Sequence, residues 1–83
     1  MMLNGADREI RVRRVVAHLT KRQEAESLQP DVDVFRQLGI ESSSALELLL
    51  SLEDEFGVQV PDVEFGEART LRQITALMVR LAP

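Results

Sequence analysis

The amino-acid sequence predicts a small all-α protein, a bundle of amphipathic helices with one long connection after the first helix. A chain of 83 residues is expected to form a single domain, here residues 1–83. Apolar residues recur at i, i+3, i+4 and i+7, which is the spacing of one helix face. No helical segment is long enough to be stable in isolation, so the segments are expected to share one small core.

The first helix is predicted from about Ala6 to Arg22. Ile10 falls outside its apolar stripe and is expected to be partly exposed. The polar segment from Glu24 to Asp33 contains Pro30 and is predicted to be a loop. The stripe comprises Val12, Val15, Val16 and Leu19, and the opposite face comprises Arg11, Arg14, His18 and Lys21. The apolar residues expected to anchor the loop on the core are Leu28, Val32, Val34, Phe35 and Leu38.

The second helix is predicted from about Ser42 to Phe56, after a turn at Gly39. Gly57 stands where a C-terminal glycine cap is expected. Leu46 and Leu50 lie beside the inner stripe and form a second apolar edge, for which ordinary core packing is the alternative interpretation. The inner stripe comprises Ala45, Leu48, Leu49, Leu52 and Phe56, and the polar face comprises Glu47, Glu53, Asp54 and Glu55.

Two further helices are predicted near the end of the sequence. The stretch "GVQVPD" is expected to be extended, because a residue that precedes proline disfavours the α conformation. Asp62 to Glu67 is expected to form one short helical turn. Thr70 is the candidate N-cap of a last helix that runs to about Leu81. Its stripe comprises Leu71, Ile74, Leu77, Met78 and Leu81.

Charge and composition exclude several classes of function. The net charge is −4, but residues 1–22 carry +4 and residues 23–83 carry −8. An acidic surface disfavours nucleic acid and favours basic protein partners. The chain has no cysteine and a single histidine, His18, which leaves little basis for a metal site or a serine–histidine relay. Without an apolar run at its start or of membrane-spanning length, the protein is expected to be soluble and cytoplasmic, with no membrane association.

The first helix is basic, and this raises the question of nucleic-acid binding. No aromatic residue accompanies its cations, and the chain as a whole is acidic. We therefore interpret these residues as a solvated helix face, paired in part with the acidic remainder, with a second protein-docking surface as the alternative. The cations are Arg8, Arg11, Arg13, Arg14, Lys21 and Arg22.

Three consecutive serines, Ser42 to Ser44, precede the leucine-rich second helix in "LGIESSSALELLL". Serine followed three residues later by glutamate is the capping-box pattern, so Ser44 and Glu47 are predicted to cap this helix, with Ser42 as the alternative cap of a helix that starts two residues earlier. Hydrolytic catalysis is disfavoured. A serine nucleophile needs a nearby base and an oxyanion hole, and the single histidine, His18, belongs to another predicted helix. A third possibility is that one of these hydroxyls is modified by another enzyme.

The segment "LGIESSSALELLLSLEDEFGVQVPD", residues 38–62, resembles the core of acyl carrier proteins, whose usual pattern is L-G-x-D-S-L. Ser42 occupies the position of the serine that receives 4′-phosphopantetheine in that family. Glu41 replaces the family's aspartate, and Ser43 replaces its leucine. The helix that follows keeps the family register through the acidic triplet, Phe56 and Pro61.

The resemblance implies a four-helix bundle with a long first loop and a short third helix. It implies a discrete, monomeric carrier that is not an enzyme. A phosphopantetheinyl transferase would modify this carrier at Ser42, and the carrier would hold acyl groups as thioesters. The cargo would belong to a specialised fatty acid, polyketide or related pathway. A stand-alone aminoacyl or peptidyl carrier, or a helical adaptor that lacks the arm, are the alternatives. Acyl-loading and acyl-processing enzymes are expected to bind the carrier through basic surfaces of their own. The carrier residues expected to contact them are Glu41, Leu46, Glu47, Leu50, Glu53 and Asp54.

Overall fold

The computed structural model describes residues 5–82, which form five α-helices and one 3₁₀ helix and contain no strand. The helices are α1 (Gly5–Thr20), the 3₁₀ helix (Gln23–Ser27), α2 (Val34–Leu38), α3 (Ser42–Phe56), α4 (Asp62–Glu67) and α5 (Leu71–Leu81). Helix α1 packs against α3, α5 and the 3₁₀ helix. The predicted all-α bundle is confirmed, with α4 as its short helix. No helix within residues 5–82 combines the length and the apolar character of a membrane span.

The core lies where the apolar stripes of α1, α3 and α5 meet. Ile10, which falls outside the α1 stripe, is 47% exposed, as predicted. The predicted stripes are confirmed, since most of their members are buried and the others pack against the buried cluster. The side chains with no exposed surface in these three helices are Val12, Val16, Leu48, Leu52, Leu71, Ile74 and Met78.

The connection between α1 and α3 is more ordered than the predicted loop. Part of the segment from Glu24 to Asp33 belongs to the 3₁₀ helix, and α2 follows directly after Asp33. The guanidinium of Arg13 donates to the carbonyl oxygens of Glu26 at 3.1 Å and Leu28 at 2.7 Å. It thereby supplies hydrogen-bond donors to carbonyl groups of this connection. The loop prediction for Glu24 to Asp33 is therefore wrong where the 3₁₀ helix lies, and α2, just beyond that segment, was not predicted. The anchor prediction is confirmed for α2, whose buried residues are Val34, Phe35 and Leu38.

Three helices end at a residue in the left-handed region. Gly57 closes α3 and Gly39 closes α2, both with φ of 66°, which confirms the glycine positions expected from the sequence. Helix α1 ends at Thr20, not at Arg22 as predicted, because Lys21 adopts a φ of 58°. The amide of Arg22 then donates to the carbonyl of Ala17, as in other helix ends of this type.

Helix α5 begins with a complete capping box. Thr70 Oγ1 accepts a hydrogen bond from the Gln73 amide at 3.1 Å, and Gln73 Oε1 accepts one from the Thr70 amide at 3.1 Å. This confirms Thr70 as the N-cap. The Val34 amide donates to the Arg69 carbonyl at 2.9 Å, so the start of α2 is tied directly to the start of α5.

The basic residues of α1 are only partly a solvated face. Arg8 is buried, with 6% of its surface exposed, and it donates from Nε and Nη2 to the Ala82 carbonyl at the end of α5. Arg13 is also largely enclosed, so the prediction of a solvated face is wrong for these two residues. Arg11 forms the expected pair with an acidic residue, since its Nε lies 3.1 Å from Glu55 Oε2.

Candidate functional site

Ser42 is the first residue of α3, and its side chain is exposed. The N-cap is Glu41, whose backbone is extended and whose carbonyl accepts from the Ala45 amide at 2.7 Å. The predicted capping role of Ser44 is therefore wrong, and so is the alternative role of Ser42, which is itself the first helical residue. A capping serine must precede the first helical residue, whereas Ser44 is already the third residue of α3.

The N-terminus of α3 has no protein cap. The Glu41 side chain makes no capping hydrogen bond, and within residues 5–82 the amides of Ser42, Ser43 and Ser44 have no acceptor. These amides add to the positive end of the helix dipole, which favours a nearby anion. A phosphate joined to the Ser42 hydroxyl would lie at this end of the helix, so the local chemistry fits a phosphoester.

An open cleft of about 200 Å³ lies beside Ser42. The rings of Phe35 from α2 and Phe65 from α4 meet edge to face, with centroids 6.0 Å apart and an interplanar angle of 82°. Ser43 does not line this cleft, and Ser44 lines a different one on the α1 side. Of the three serines, Ser42 alone therefore faces the cleft between α3 and α4. The full lining is Phe35, Ile40, Glu41, Ser42, Ala45, Phe65, Gly66 and Arg69.

Arg69, just before α5, brings a cation to this cleft, and Asp33 holds it there. The Nε of Arg69 donates to Asp33 Oδ2 at 3.0 Å, and its guanidinium carbon lies 4.5 Å from the centroid of the Phe35 ring. Asp33 Oδ1 meanwhile accepts from the amides of Phe35 and Arg36 and caps α2. Desolvation acts to raise the pKa of Asp33, but the hydrogen bonds from Arg36, Arg69 and Phe35 outweigh it and lower that pKa below 3.8.

The residues predicted to dock partners occupy one side of α3. Leu46 and Leu50 are 56% and 54% exposed, so these side chains do not belong to the core. Glu47 and Asp54 are also exposed, whereas Glu53 is half-buried and its Oε2 accepts from the Val60 amide at 2.8 Å. The exposed acids and leucines therefore share one helix, while the Glu53 carboxylate also holds the chain after α3.

Sequence reasoning missed four parts of this site. The sequence pattern marks Asp33 only as the end of a loop, and it gives no signal for Phe65 or Arg69. Val63 of α4 is 74% exposed and was also not predicted as part of a surface. An aspartate two residues before Phe35 is a recognisable N-cap signal, but nothing in the sequence pairs Asp33 with Arg69, which lies 36 residues away.

A family model described as a phosphopantetheine attachment site matches residues 11–78 of the chain. The matched span covers most of α1 and α5 and the whole of the segment between them, with Ser42, its cleft and the exposed side of α3. Proteins of this family carry covalently attached 4′-phosphopantetheine, and the uncapped helix start beside an exposed hydroxyl fits the phosphate of that group. The chain therefore belongs to the phosphopantetheine attachment site family and is a carrier protein of the acyl-carrier type.

Proposed function

We propose that Ser42 is the residue that receives 4′-phosphopantetheine and that residues 1–83 form one acyl carrier domain. The observation that supports this most directly is the position of Ser42, exposed at the uncapped start of α3 and on the edge of the α3–α4 cleft. Ser43 is exposed but lies away from the cleft, and Ser44 is half-buried. The family register also selects Ser42 among the three.

The arm supplies the reactive atom that the chain itself lacks. With no cysteine in the sequence, the thiol that forms a thioester must belong to the pantetheine group. A phosphopantetheinyl transferase would join the Ser42 oxygen to the pantetheine phosphate of coenzyme A. The pyrophosphate bond of coenzyme A breaks, 3′,5′-adenosine diphosphate leaves, and the hydroxyl proton is released. In this division of labour, the carrier presents the hydroxyl and the transferase provides the catalysis.

The exposed side of α3 is the proposed docking surface for partner enzymes. Leu46 and Leu50 offer apolar contact, and Glu47 and Asp54 surround them with negative charge. Complementary charge raises association rates more than it raises affinity, which suits a carrier that must visit several enzymes and leave each one. We expect partners with basic patches, and a carrier that acts as a cytoplasmic monomer. Glu41, just before α3, and the half-buried Glu53 complete the proposed surface.

The proposed cargo is an acyl group of a specialised fatty acid, polyketide or related pathway. The acidic α3 and the Glu41–Ser42 pair resemble acyl carriers more than peptidyl carriers. An aminoacyl cargo is the alternative within the carrier class, and an adaptor without the arm is the alternative outside it. Incubating the modified protein with the loading enzyme of its pathway and a panel of acyl and aminoacyl donors distinguishes an acyl cargo from an aminoacyl cargo.

Co-expression with a broad-specificity phosphopantetheinyl transferase tests the attachment site. We expect intact mass spectrometry to show one 4′-phosphopantetheine per chain, and peptide mapping to place it on Ser42. Ser42→Ala is expected to remove the added mass completely, while the matched variant Ser43→Ala keeps it. Full modification of Ser42→Ala at Ser43 or Ser44 would show that the register is wrong. A wild-type chain that stays unmodified would favour the adaptor.

A further inference from the structure

Arg69 is the only cation among the described residues that line the cleft beside Ser42. Its guanidinium is held from two sides, by the hydrogen bond from Nε to Asp33 and by the ring of Phe35. Neither Nη group makes a hydrogen bond to any residue within the range 5–82. The arginine is therefore positioned in advance, with hydrogen-bond donors still available in a cleft that it shares with Ser42.

The charges around Ser42 give a reason for a cation at this place. A phosphodiester on the Ser42 hydroxyl carries one negative charge, and Glu41, which carries another, is among the residues that line the same cleft. Two like charges in one cleft repel each other, so the phosphate is favoured only if groups of opposite charge face it. The uncapped amides of α3 supply partial positive charge, and Arg69 supplies a full one.

We propose that Arg69 binds the phosphodiester of the 4′-phosphopantetheine arm through its Nη groups, and that Asp33 is the residue that positions it. This inference rests on the proposed attachment at Ser42. The contact would hold the phosphate at the cleft that Ser42 and Arg69 both line. Arg69 is thus a binding residue for the prosthetic group, and its pairing with Asp33 has a role beyond stabilising the junction of α2 and α5.

Phosphorus NMR and arginine side-chain NMR on the modified protein test this contact directly. We expect the Arg69 Nε–H signal to shift between the unmodified and modified wild-type protein, a comparison that requires no substitution. In modified Arg69→Gln we expect the phosphodiester resonance to move towards that of free pantetheine phosphodiester. The {1H}–15N nuclear Overhauser effect of the pantetheine amide nearest the phosphate should fall in the same variant, because the start of the arm becomes more mobile.

Arg72→Gln is the matched control. Arg72 is an exposed arginine at the start of α5 that pairs with Asp31 and does not line the cleft. The Arg72→Gln variant should leave the phosphodiester resonance at its wild-type position. Arg69→Lys keeps the charge but not the planar fork of donors, so it should give a resonance between those of wild type and Arg69→Gln. Amide spectra of each variant before modification show whether the fold is retained.

Mass spectrometry of the same samples distinguishes a failure of the proposed attachment at Ser42 from a failure of the proposed Arg69 contact. If Ser42 bears the arm while the Arg69 Nε–H signal stays unchanged on modification, the contact is refuted and the attachment site stands. An equal change of the phosphodiester resonance in Arg69→Gln and Arg72→Gln would likewise refute it, because a general loss of positive charge would then explain the effect. An arm on another serine, or no arm, overturns both the proposed attachment and this contact.

Discussion

Replacing Asp33 by alanine is expected to lower the free energy of unfolding by about 1.5 kcal/mol, and replacing it by asparagine by about 0.5 kcal/mol. Asp33 does two separable things. Its Oδ1 accepts from the Phe35 amide at 2.9 Å and the Arg36 amide at 3.1 Å, and its Oδ2 accepts from Arg69. Alanine removes both functions, whereas asparagine keeps an oxygen that can cap α2 and loses the charge that pairs with Arg69.

The magnitudes follow from the exposure of each partner. Loss of an aspartate N-cap costs about 1 kcal/mol. The Arg69 side chain is 46% exposed and that of Asp33 is 29% exposed, so solvent screens their ion pair and limits its contribution to about 0.5 kcal/mol. Urea unfolding followed by far-ultraviolet circular dichroism measures both variants. With a slope near 1 kcal/mol per molar urea, Asp33→Ala should unfold about 1.5 M earlier than wild type.

The pH dependence provides an independent check. Because the folded state lowers the pKa of Asp33, its carboxylate stabilises the fold at pH values above the ordinary aspartate pKa of 3.8. That contribution is lost as the pH falls through the lower folded-state pKa. The difference in stability between wild type and Asp33→Asn should therefore be complete at pH 7 and shrink in acid.

Asp31→Asn is the matched control, because Asp31 is an exposed aspartate that pairs with Arg72 and caps no helix. It should shift the urea midpoint at pH 7 less than Asp33→Ala does. The reasoning is refuted if Asp33→Asn destabilises the protein as much as Asp33→Ala. It is also refuted if the difference between wild type and Asp33→Asn is the same at pH 7 and in acid.

Three further substitutions have expected effects on urea unfolding. Arg13→Met should lower the free energy of unfolding by about 2 kcal/mol, because it leaves carbonyl groups of the long connection without their donor. The control Arg14→Met, at an exposed residue of the same helix, should change that free energy by less than about 0.5 kcal/mol. Equal effects would contradict this role of Arg13. Gly57→Ala should cost about 1 kcal/mol, because φ is 66° although no atom lies within 4 Å of the added carbon. Thr75→Val should stabilise by about 1 kcal/mol, because the buried Thr75 hydroxyl has no hydrogen-bond partner within residues 5–82; a loss of stability would point to a missed partner.

Hydrophobic periodicity was sufficient to predict the three long helices. In α5, apolar residues recur in register over the whole helix, and Leu71, Ile74 and Met78 are fully buried as the spacing requires. Gly57 and Thr70 marked the end of α3 and the start of α5, because left-handed backbone and side-chain capping each favour few residue types. The exposure of Leu46 and Leu50 was also anticipated, since they lie off the inner stripe.

The short helix α4 was predicted at Asp62–Glu67, but helix α2, the 3₁₀ helix and the long-range polar contacts could not be derived in the same way. Helix α2 has five residues, fewer than two turns, so no periodicity can develop in it. Arg8 and Arg13 were placed on a solvated face because helical spacing shows which side of α1 is polar, but not whether another segment crosses it. The pairing of Arg69 with Asp33 likewise depends on the path of the chain between them.

The failure of the capping-box prediction at Ser44 itself supports the proposed site. The prediction assumed that the amides at the start of α3 are satisfied inside the protein, as Thr70 satisfies them at the start of α5. At α3 the amides of Ser42, Ser43 and Ser44 have no acceptor within residues 5–82, and no side chain caps the helix. Helix α4 also begins without a side-chain cap, but its first residue is Asp62, which offers no hydroxyl for a phosphoester. A helix start with free donors next to an exposed serine favours a covalently attached phosphate, and local rules of stability are expected to fail where a site serves a ligand.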